Sequence, residues 1–384
     1  MAACSLATLI VSGCSTADVQ NPGANSAARR AAAGCHRVAA PTGRDRAAGT
    51  LGHPFRTVGR LIRALQPGQV GCLRAGVYGD RRAKISFSRR GVTITSYPGE
   101  RATIQGWPYV SGAGTTLSYL NFDLNNVGHT TSHCADAGGR TPSAYSLQIE
   151  ASKVTIQHDN IYQNDVPLTQ RAGAIGAGFN TTDSDIVVRY NRIHDVGWCP
   201  VEDHGVYLDH VSGAEVYGNW IYDIPGGTGV QLWSTTTNVH VVANVIDQAA
   251  SGFTLGCCAK AGEVPTHGNV VEHNIVTNSV GTPYAKLDPV APTGFDPGVT
   301  VWTYWSSVPG AGNVYRDNVA YCAGGFTHCG TAPGPTAGLT YSGNRVVNPQ
   351  FVNPSAHDYR VAATSPLAPW HLWDGDLGPV RRPR

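Results

Sequence analysis

A repeated segment of eleven residues constrains the fold of this chain more than any other feature. Seven segments share alternating apolar and polar residues around a polar corner, and they span residues 154–164, 186–196, 214–224, 239–249, 269–279, 313–323 and 339–349. Six of them carry asparagine at the sixth position, namely Asn191, Asn219, Asn244, Asn274, Asn318 and Asn344. Successive asparagines are 25 to 30 residues apart, with one step of 44. Such a period indicates a solenoid, a propeller or a linear array.

The alternation within each unit selects among these architectures. Apolar residues at every second position predict short strands, and no helical pattern separates one unit from the next. A propeller blade needs four strands in about 40 residues, and leucine-rich repeats need a leucine spacing that is missing from this sequence. The remaining architecture is a parallel β-helix, in which coils stack about 4.8 Å apart. The six corner asparagines are then predicted to be structural, each bonded to the next, with Asp159 at that position in the first segment.

A second column of strands follows from four segments that share glycine at the third position. They span residues 171–178, 203–210, 227–234 and 250–257. The alternation after each glycine predicts that Val206 and Leu208, with their equivalents, point into the core. The same alignment predicts an exposed stripe composed of Ile175, Tyr207, Gln231 and Thr254, with Ala177, Asp209 and Trp233 beside it.

One helix is predicted ahead of the repeats. Val58, Leu61, Ile62 and Leu65 follow the i, i+3, i+4, i+7 spacing of an amphipathic helix, and Pro67-Gly68 ends it. Together with the asparagine-bearing coils and the C-terminal segment 348–367, the segment 53–78 resembles the right-handed parallel β-helix proteins of the pectate-lyase-like superfamily. The resemblance covers residues 50 to 370 approximately. It implies an all-β fold, a single-stranded right-handed parallel β-helix with one N-terminal amphipathic capping helix.

The N-terminus predicts export. Residues 1–14 form a short apolar run that is typical of a signal peptide, and Cys14 ends it as the lipidated cysteine of a bacterial lipoprotein would. Plain secretion is the alternative. Residues 15–34 are small and polar and predict a disordered tether, 35–371 the β-helix domain and 372–384 a C-terminal tail. The expected location is extracellular or at the cell surface, and a lipid anchor would be the protein's only attachment to a membrane.

Cysteine usage agrees with export. Eight cysteines remain beyond residue 14, and an even number in an exported chain predicts disulfides. We expect Cys35 to pair with Cys72 and Cys322 with Cys329.

Net charge is only +2, with no basic run, so nucleic acid is not an expected partner. The expected state is a monomer that binds a polysaccharide.

The segment CPVEDHGVYLDH, residues 199–210, concentrates the side chains that could do chemistry. The candidate catalytic residues are Asp203, His204, Tyr207, Asp209, His210 and Arg171. Gln231 and Trp233 are candidates for contacting a sugar. Calcium prefers oxygen ligands, so Glu202, Asp203 and Asp209 are the candidates for holding Ca²⁺.

The favoured function is cleavage of an acidic extracellular polysaccharide by lyase-type β-elimination. That reaction needs a base and a group that neutralises the substrate carboxylate, and this segment offers both. A non-catalytic carbohydrate-binding or cell-surface role is the first alternative. A polyuronide C5-epimerase and a glycoside hydrolase are the others, although Asp203 and Asp209 are about 20 Å apart on an extended strand, too far for the two acids of a hydrolase.

Overall fold

The computed structural model describes residues 34–124, 147–163, 172–197, 203–256, 262–280, 311–324 and 339–377. In these residues almost all regular structure is parallel strand, arranged as stacked coils with three faces. Face 1 is an eleven-stranded parallel sheet. Its strands are β1 Arg37–Ala39, β2 Val70–Leu73, β4 Thr93–Ser96, β6 Thr116–Ser118, β9 Thr155–Gln157, β13 Val187–Arg189, β17 Glu215–Tyr217, β19 His240–Val242, β21 Val270–Glu272, β23 Asn313–Arg316 and β25 Leu339–Ser342.

Faces 2 and 3 belong to a second, thirteen-stranded sheet. Face 2 follows the asparagine corner and contains β7 Asn121–Asp123, β10 Asn160–Tyr162, β14 Arg192–His194, β22 Ile275–Thr277, β24 Val319–Tyr321 and β26 Arg345–Val346. Face 3 contains β8 Leu147–Ile149, β11 Ile175–Ala177 and β15 Val206–Leu208. Four long strands join the two faces because each runs through both: β3 Gly76–Phe87, β5 Ala102–Val110, β18 Trp220–Leu232 and β20 Val245–Leu255.

A single core fills the inside of the coils. Inward residues stack in register, as with Val188, Val216 and Val241 on face 1, all of which are fully buried. Face 3 contributes Val206, Leu208 and their partners in the next coils, as the alternation predicted. The all-β solenoid fold is therefore confirmed.

The N-terminal end of the core is covered by the one α-helix of the described residues, α1 Val58–Ala64. Thr57 caps it by accepting a hydrogen bond from the backbone N–H of Arg60. Leu61, Ile62 and Leu65 are buried against the first coils. The predicted capping helix is confirmed. Close by, the disulfide between Cys35 and Cys72 confirms the pairing expected from sequence.

The C-terminal segment lies along face 2. It contains two short 3₁₀ helices, Pro354–Ala356 and Ala368–Trp370, and the antiparallel pair β27 Phe351–Asn353 and β28 Asp358–Val361. Tyr359 and Trp373 pack on Trp220, with ring centroids 5.3 and 5.5 Å away. A further short pair, β12 Asp183–Ser184 and β16 Val211–Ser212, lies between faces 3 and 1.

The corner between faces 1 and 2 contains a ladder of asparagines. Nδ2 of each ladder asparagine donates to Oδ1 of the next, at 2.9–3.0 Å from Asn191 through Asn344. Each Nδ2 also donates to a main-chain oxygen of the preceding coil, as Asn244 does to Val216 at 2.8 Å. The ladder thus satisfies buried polar groups where the chain turns away from both sheets.

Candidate functional site

The outer surface of face 3 carries one row of side chains that point away from the core. Register places Tyr109, Gln148, Gly176, Tyr207, Gln231 and Thr254 side by side in successive coils. The sequence alignment put Ile175 beside Tyr207, and this was wrong by one residue. Ile175 instead pairs with Val206, and both Ile175 and Ala177 are fully buried in the core. A one-residue slip transfers every side chain to the opposite face of a strand.

Much of the stripe that sequence predicted to be exposed is buried. Tyr207 keeps part of its surface, whereas Gln231, Thr254, Asp209 and Trp233 are buried. Packing explains two of these cases. Thr254 shares a hydroxyl contact of 3.0 Å with Thr228, and the indole of Trp233 occupies the space that a Cβ on Gly256 would enter.

Asp209 and His210 form a pair at the end of β15. Oδ1 of Asp209 lies 2.8 Å from Nδ1 of His210, and the carboxylate side chain is 9% exposed while the imidazole is 28% exposed. A proton on Nδ1 would face the carboxylate at this distance, and a neutral His210 in that tautomer would keep its lone pair on Nε2. His210 has a left-handed backbone (φ 51°), as do many other corner residues of this solenoid.

His210 lines a surface groove of about 430 Å³. The other lining residues come from the turn after β11 and from Gly262 and Glu263: they are Gly178, Phe179, Asn180, Thr181 and Thr182. The wall is therefore rich in hydroxyl and amide groups, with Phe179 as its aromatic member. The ring of Phe179 meets Tyr207 edge-on at 5.1 Å, which connects the groove with the row on face 3.

His204 lies at the other end of β15 and is fully buried. Its Nδ1 accepts a hydrogen bond from the backbone N–H of Thr228 at 3.0 Å, so the neutral ring carries its proton on Nε2. The ring meets Tyr207 edge-on at 5.4 Å. In this state His204 is a hydrogen-bond donor next to Tyr207. Asp203, just before it, is also fully buried.

Glu150, which the sequence patterns did not single out, occupies the position equivalent to Asp209 two coils away. The backbone N–H groups of Glu150, Gly178 and Asp209 donate to Val110, Ile149 and Ala177 respectively, which makes them equivalent in successive coils. At about 4.8 Å per coil, the backbones of Glu150 and Asp209 are about 10 Å apart. Between them lies Gly178, where a Cβ would come 1.7 Å from the carbonyl oxygen of Asp209, so only glycine fits this position.

The turn after β11 is fixed to Glu150. The carboxylate accepts from the backbone N–H of Asn180 at 3.0 Å, from its side-chain amide at 2.9 Å and from the Thr181 hydroxyl at 2.9 Å. Thr181 lies 2.6 Å from Asp183 as well. Burial raises the pKa of Asp183, and the negative charge of Glu150 raises it further, against hydrogen bonds from Thr181 and Ser152 that lower it.

The structure brings together only some of the residues that sequence selected. Tyr207, Asp209, His210 and Gln231 meet on face 3 and in its following turn. Arg171 and Glu202 are outside the described residues, as are Cys14 and Cys329.

Two of the three residues predicted to hold Ca²⁺, Asp203 and Asp209, are among the described residues. Asp203 and Asp209 flank β15 at its two ends, so they cannot both reach one Ca²⁺ at 2.3–2.6 Å. In the described parts of the chain, no cluster of three or more His, Cys, Asp or Glu side chains is arranged to hold a metal ion.

Comparison with known proteins identifies the family. The sequence profile of the right handed beta helix region matches residues 84–303, more than half of the chain, so the protein belongs to this family. No curated protein matches the chain in sequence. Within the described residues, no helix is long and apolar enough to cross a membrane.

Among the solved structures that share the fold, two lyases show the similarity at low sequence identity. The chain superposes on pectate lyase Pel9A with a TM-score of 0.52 and 13% identity, covering 88% of this chain and 92% of that one. A rhamnogalacturonan lyase gives a TM-score of 0.52 and 13% identity over 90% of this chain and 95% of that one. The protein is thus a right-handed parallel β-helix, a fold that it shares with these two lyases.

Proposed function

We propose that the protein cleaves an acidic polysaccharide by β-elimination and that His210 is the base. The observation that carries this proposal is the Asp209–His210 pair. Asp209 lies beside Nδ1 and His210 lines the groove, so in this proposal the proton is on Nδ1 and Nε2 is the acceptor. A base oriented by a third group in this way is a recurring arrangement in enzymes.

In the proposed elimination, side chains of the protein supply both the base and the acid. His210 Nε2 takes the proton from the sugar carbon next to the carboxyl group. The electron pair of that C–H bond forms a double bond to the neighbouring ring carbon, and the bond from that carbon to the glycosidic oxygen breaks. The leaving oxygen gains a proton, for which the hydroxyl of Tyr207 on the same surface is our candidate donor.

The substrate carboxyl group must be neutralised before its neighbouring carbon becomes acidic. Gln231 lies beside Tyr207 in the next coil, and its amide is a hydrogen-bond donor of the required kind. Arg171, outside the described residues, is the candidate cation for the same task. His204, with its proton on Nε2, would support Tyr207 as a donor, a role that differs from the base suggested by sequence.

Product chemistry tests this function. The full chain would be incubated with pectate, alginate, hyaluronan, chondroitin and heparosan, with and without Ca²⁺. We expect one polymer to give ultraviolet absorbance from the new double bond, with one new reducing end for each unsaturated end. Reducing ends without absorbance would overturn the proposal in favour of hydrolysis. Exchange of the sugar proton with solvent deuterium without chain cleavage would indicate an epimerase, and retention of a polymer unchanged would indicate a binding protein.

Hydrolysis is the second candidate because of Glu150 and Asp209. Their backbones are about 10 Å apart, and the carboxyl groups of inverting glycosidases are separated by about 6.5–9.5 Å, a range that side chains at this backbone spacing can reach. It ranks second because Glu150 already accepts bonds from Asn180 and Thr181, which hold the turn. If hydrolysis is correct, Glu150→Gln abolishes the release of reducing ends and leaves the fold intact.

We also propose that the protein works outside the cell, carried there by the signal in residues 1–14. The disulfide between Cys35 and Cys72 supports an oxidising compartment. Lipidation at Cys14 would be tested by metabolic labelling with a fatty acid. A labelled wild-type protein and an unlabelled Cys14→Ser variant are expected, and an unlabelled wild type would favour plain secretion.

A further inference from the structure

We propose that Lys84, Trp107 and Tyr109 form a second binding site for a negatively charged sugar unit, on the same outer surface of face 3. The proposal rests on the proposed function in one respect, namely that an acidic polymer lies along this face. It goes beyond that function by assigning these residues to a position away from the reacting bond.

The three side chains form a compact unit. Nζ of Lys84 lies 4.5 Å from the ring centroid of Trp107 and 3.7 Å from that of Tyr109. The two rings are 6.0 Å apart and nearly perpendicular. Lys84 is exposed, and both rings are partly exposed. The rings hold a flexible ammonium group in one place, which reduces the entropy lost when it binds an anion.

A bulge in β3 places the lysine there. Register between β3 and β5 shifts between the pair Gly79–Gln105 and the pair Lys84–Trp107. The extra residues of β3 wrap over Gly106, where a Cβ would lie 2.5 Å from the carbonyl oxygen of Ala83. Gly106 also has a φ of 124°, which favours glycine. Bulges commonly re-aim a side chain beside a functional site.

The site is continuous with the proposed reaction centre. Tyr109 pairs with Gln148, Gln148 with Gly176 and Gly176 with Tyr207. Three coil steps of about 4.8 Å place Tyr109 about 14 Å from Tyr207 along the solenoid, and the backbone of Lys84 is one coil further. A polymer that spans a few sugar units along face 3 would reach both places, and its carboxylate or sulfate group would meet the ammonium of Lys84.

Affinity electrophoresis tests the site without requiring cleavage. The full chain would migrate through gels containing pectate, alginate, hyaluronan, chondroitin or heparosan, with neutral dextran as the uncharged comparison. We expect at least one acidic polymer to retard the protein. Lys84→Met should weaken that binding at least five-fold, while Lys84→Arg should retain most of it. Arg189→Gln is the matched control, because it removes a positive charge from the outside of face 1.

The outcomes separate this site from the proposed reaction. In His210→Ala, binding should persist although cleavage is lost, so a failure of the lyase assignment leaves this test valid. For oligosaccharides of increasing length, Trp107→Ala should weaken binding of long ones and leave short ones that occupy only the Tyr207 region unaffected. Equal retardation of Lys84→Met and Arg189→Gln, or no retardation by any of the five acidic polymers, would overturn the proposal.

Discussion

Asp159 donates its backbone N–H to Oδ1 of Asn191 at 2.9 Å, so a carboxyl group occupies one place in the asparagine ladder. Oδ1 of Asp159 accepts from the backbone of Leu120 at 2.7 Å, while Oδ2 is buried with no hydrogen-bond partner among the described residues. In the next coil the matching Nδ2 of Asn191 is a donor, to Ile156 and to Asn219. A carboxyl group can donate there only when it is protonated.

The stability of the protein should therefore fall as pH rises through neutrality. Burial raises the pKa of Asp159 to about 8, against a value of 3.8 for an exposed aspartate. Between these values the folded state holds a proton that the unfolded state has released, so the free energy of unfolding decreases by up to about 1.4 kcal/mol per pH unit. Above about pH 8 this contribution becomes constant. Denaturant unfolding from pH 4 to 9 should show this decline in the wild type.

Asp159→Asn is the matched variant, because it gives the ladder its usual residue. The difference in unfolding free energy between variant and wild type should grow with pH and level off above about pH 8. A difference that does not change with pH would mean that Asp159 is ionised in the fold.

The ladder should be most sensitive at its centre. Asn244→Ala removes the acceptor of the Asn219 backbone N–H and the donor to the carbonyl of Val216, both buried. Leaving each buried group without a partner costs about 1–3 kcal/mol, so denaturant unfolding should show a loss of several kcal/mol. Asn344→Ala, at the partly exposed end of the ladder, should cost less. Similar losses for both variants would contradict the greater sensitivity of the centre of the ladder.

Trp233 should act through packing. Gly256→Ala would place a Cβ 2.0 Å from the indole, so the ring or the strand must move. Such overpacking costs about 1–3 kcal/mol and should change the tryptophan fluorescence. Gly52→Ala, where no atom lies within 4 Å of the new Cβ, should be neutral. If Gly256→Ala leaves stability and fluorescence unchanged, the indole is free to move and its role as a sugar contact regains support.

The disulfide should stabilise the N-terminal end of the solenoid. Cys35 and Cys72 close a loop of 37 residues, for which restriction of the unfolded chain predicts about 4 kcal/mol. The double variant Cys35→Ser, Cys72→Ser should unfold at a lower denaturant concentration than the wild type. Addition of a reducing agent should lower the midpoint of the wild type at least as far, because it also reduces the disulfide of Cys322. A midpoint that does not respond to either change would contradict this contribution.

The fold could be predicted because the same pattern of residues recurs in seven segments of the sequence. Each asparagine unit repeats the same strand, corner and strand, and errors in one unit do not alter the others. The register of a single coil could not be predicted as well, because an error in one coil is not corrected by the pattern of the others. Gly173 was aligned with Gly205, yet Ile175 donates its N–H to Gly205, which places Ala174 at the glycine position.

The candidate site was harder to predict because it too depends on the register of single coils. Glu150 belongs to a coil whose strand Leu147–Ile149 is preceded by serine instead of the column glycine, so no alignment connected it with Asp209. The tautomers of His204 and His210 depend on the backbone of Thr228 and the carboxylate of Asp209. Sequence showed both histidines but not their partners, and the partners decide which ring can accept a proton.

The most direct measurement is the rate of ultraviolet product formation by His210→Ala, with and without added imidazole. Loss of a general base should lower kcat by about 10²–10⁴-fold, and imidazole should restore part of it by entering the space of the missing ring. His240→Ala, an exposed histidine on face 1, should retain the wild-type rate. A His210→Ala variant as active as His240→Ala would contradict the assignment of His210 as the base.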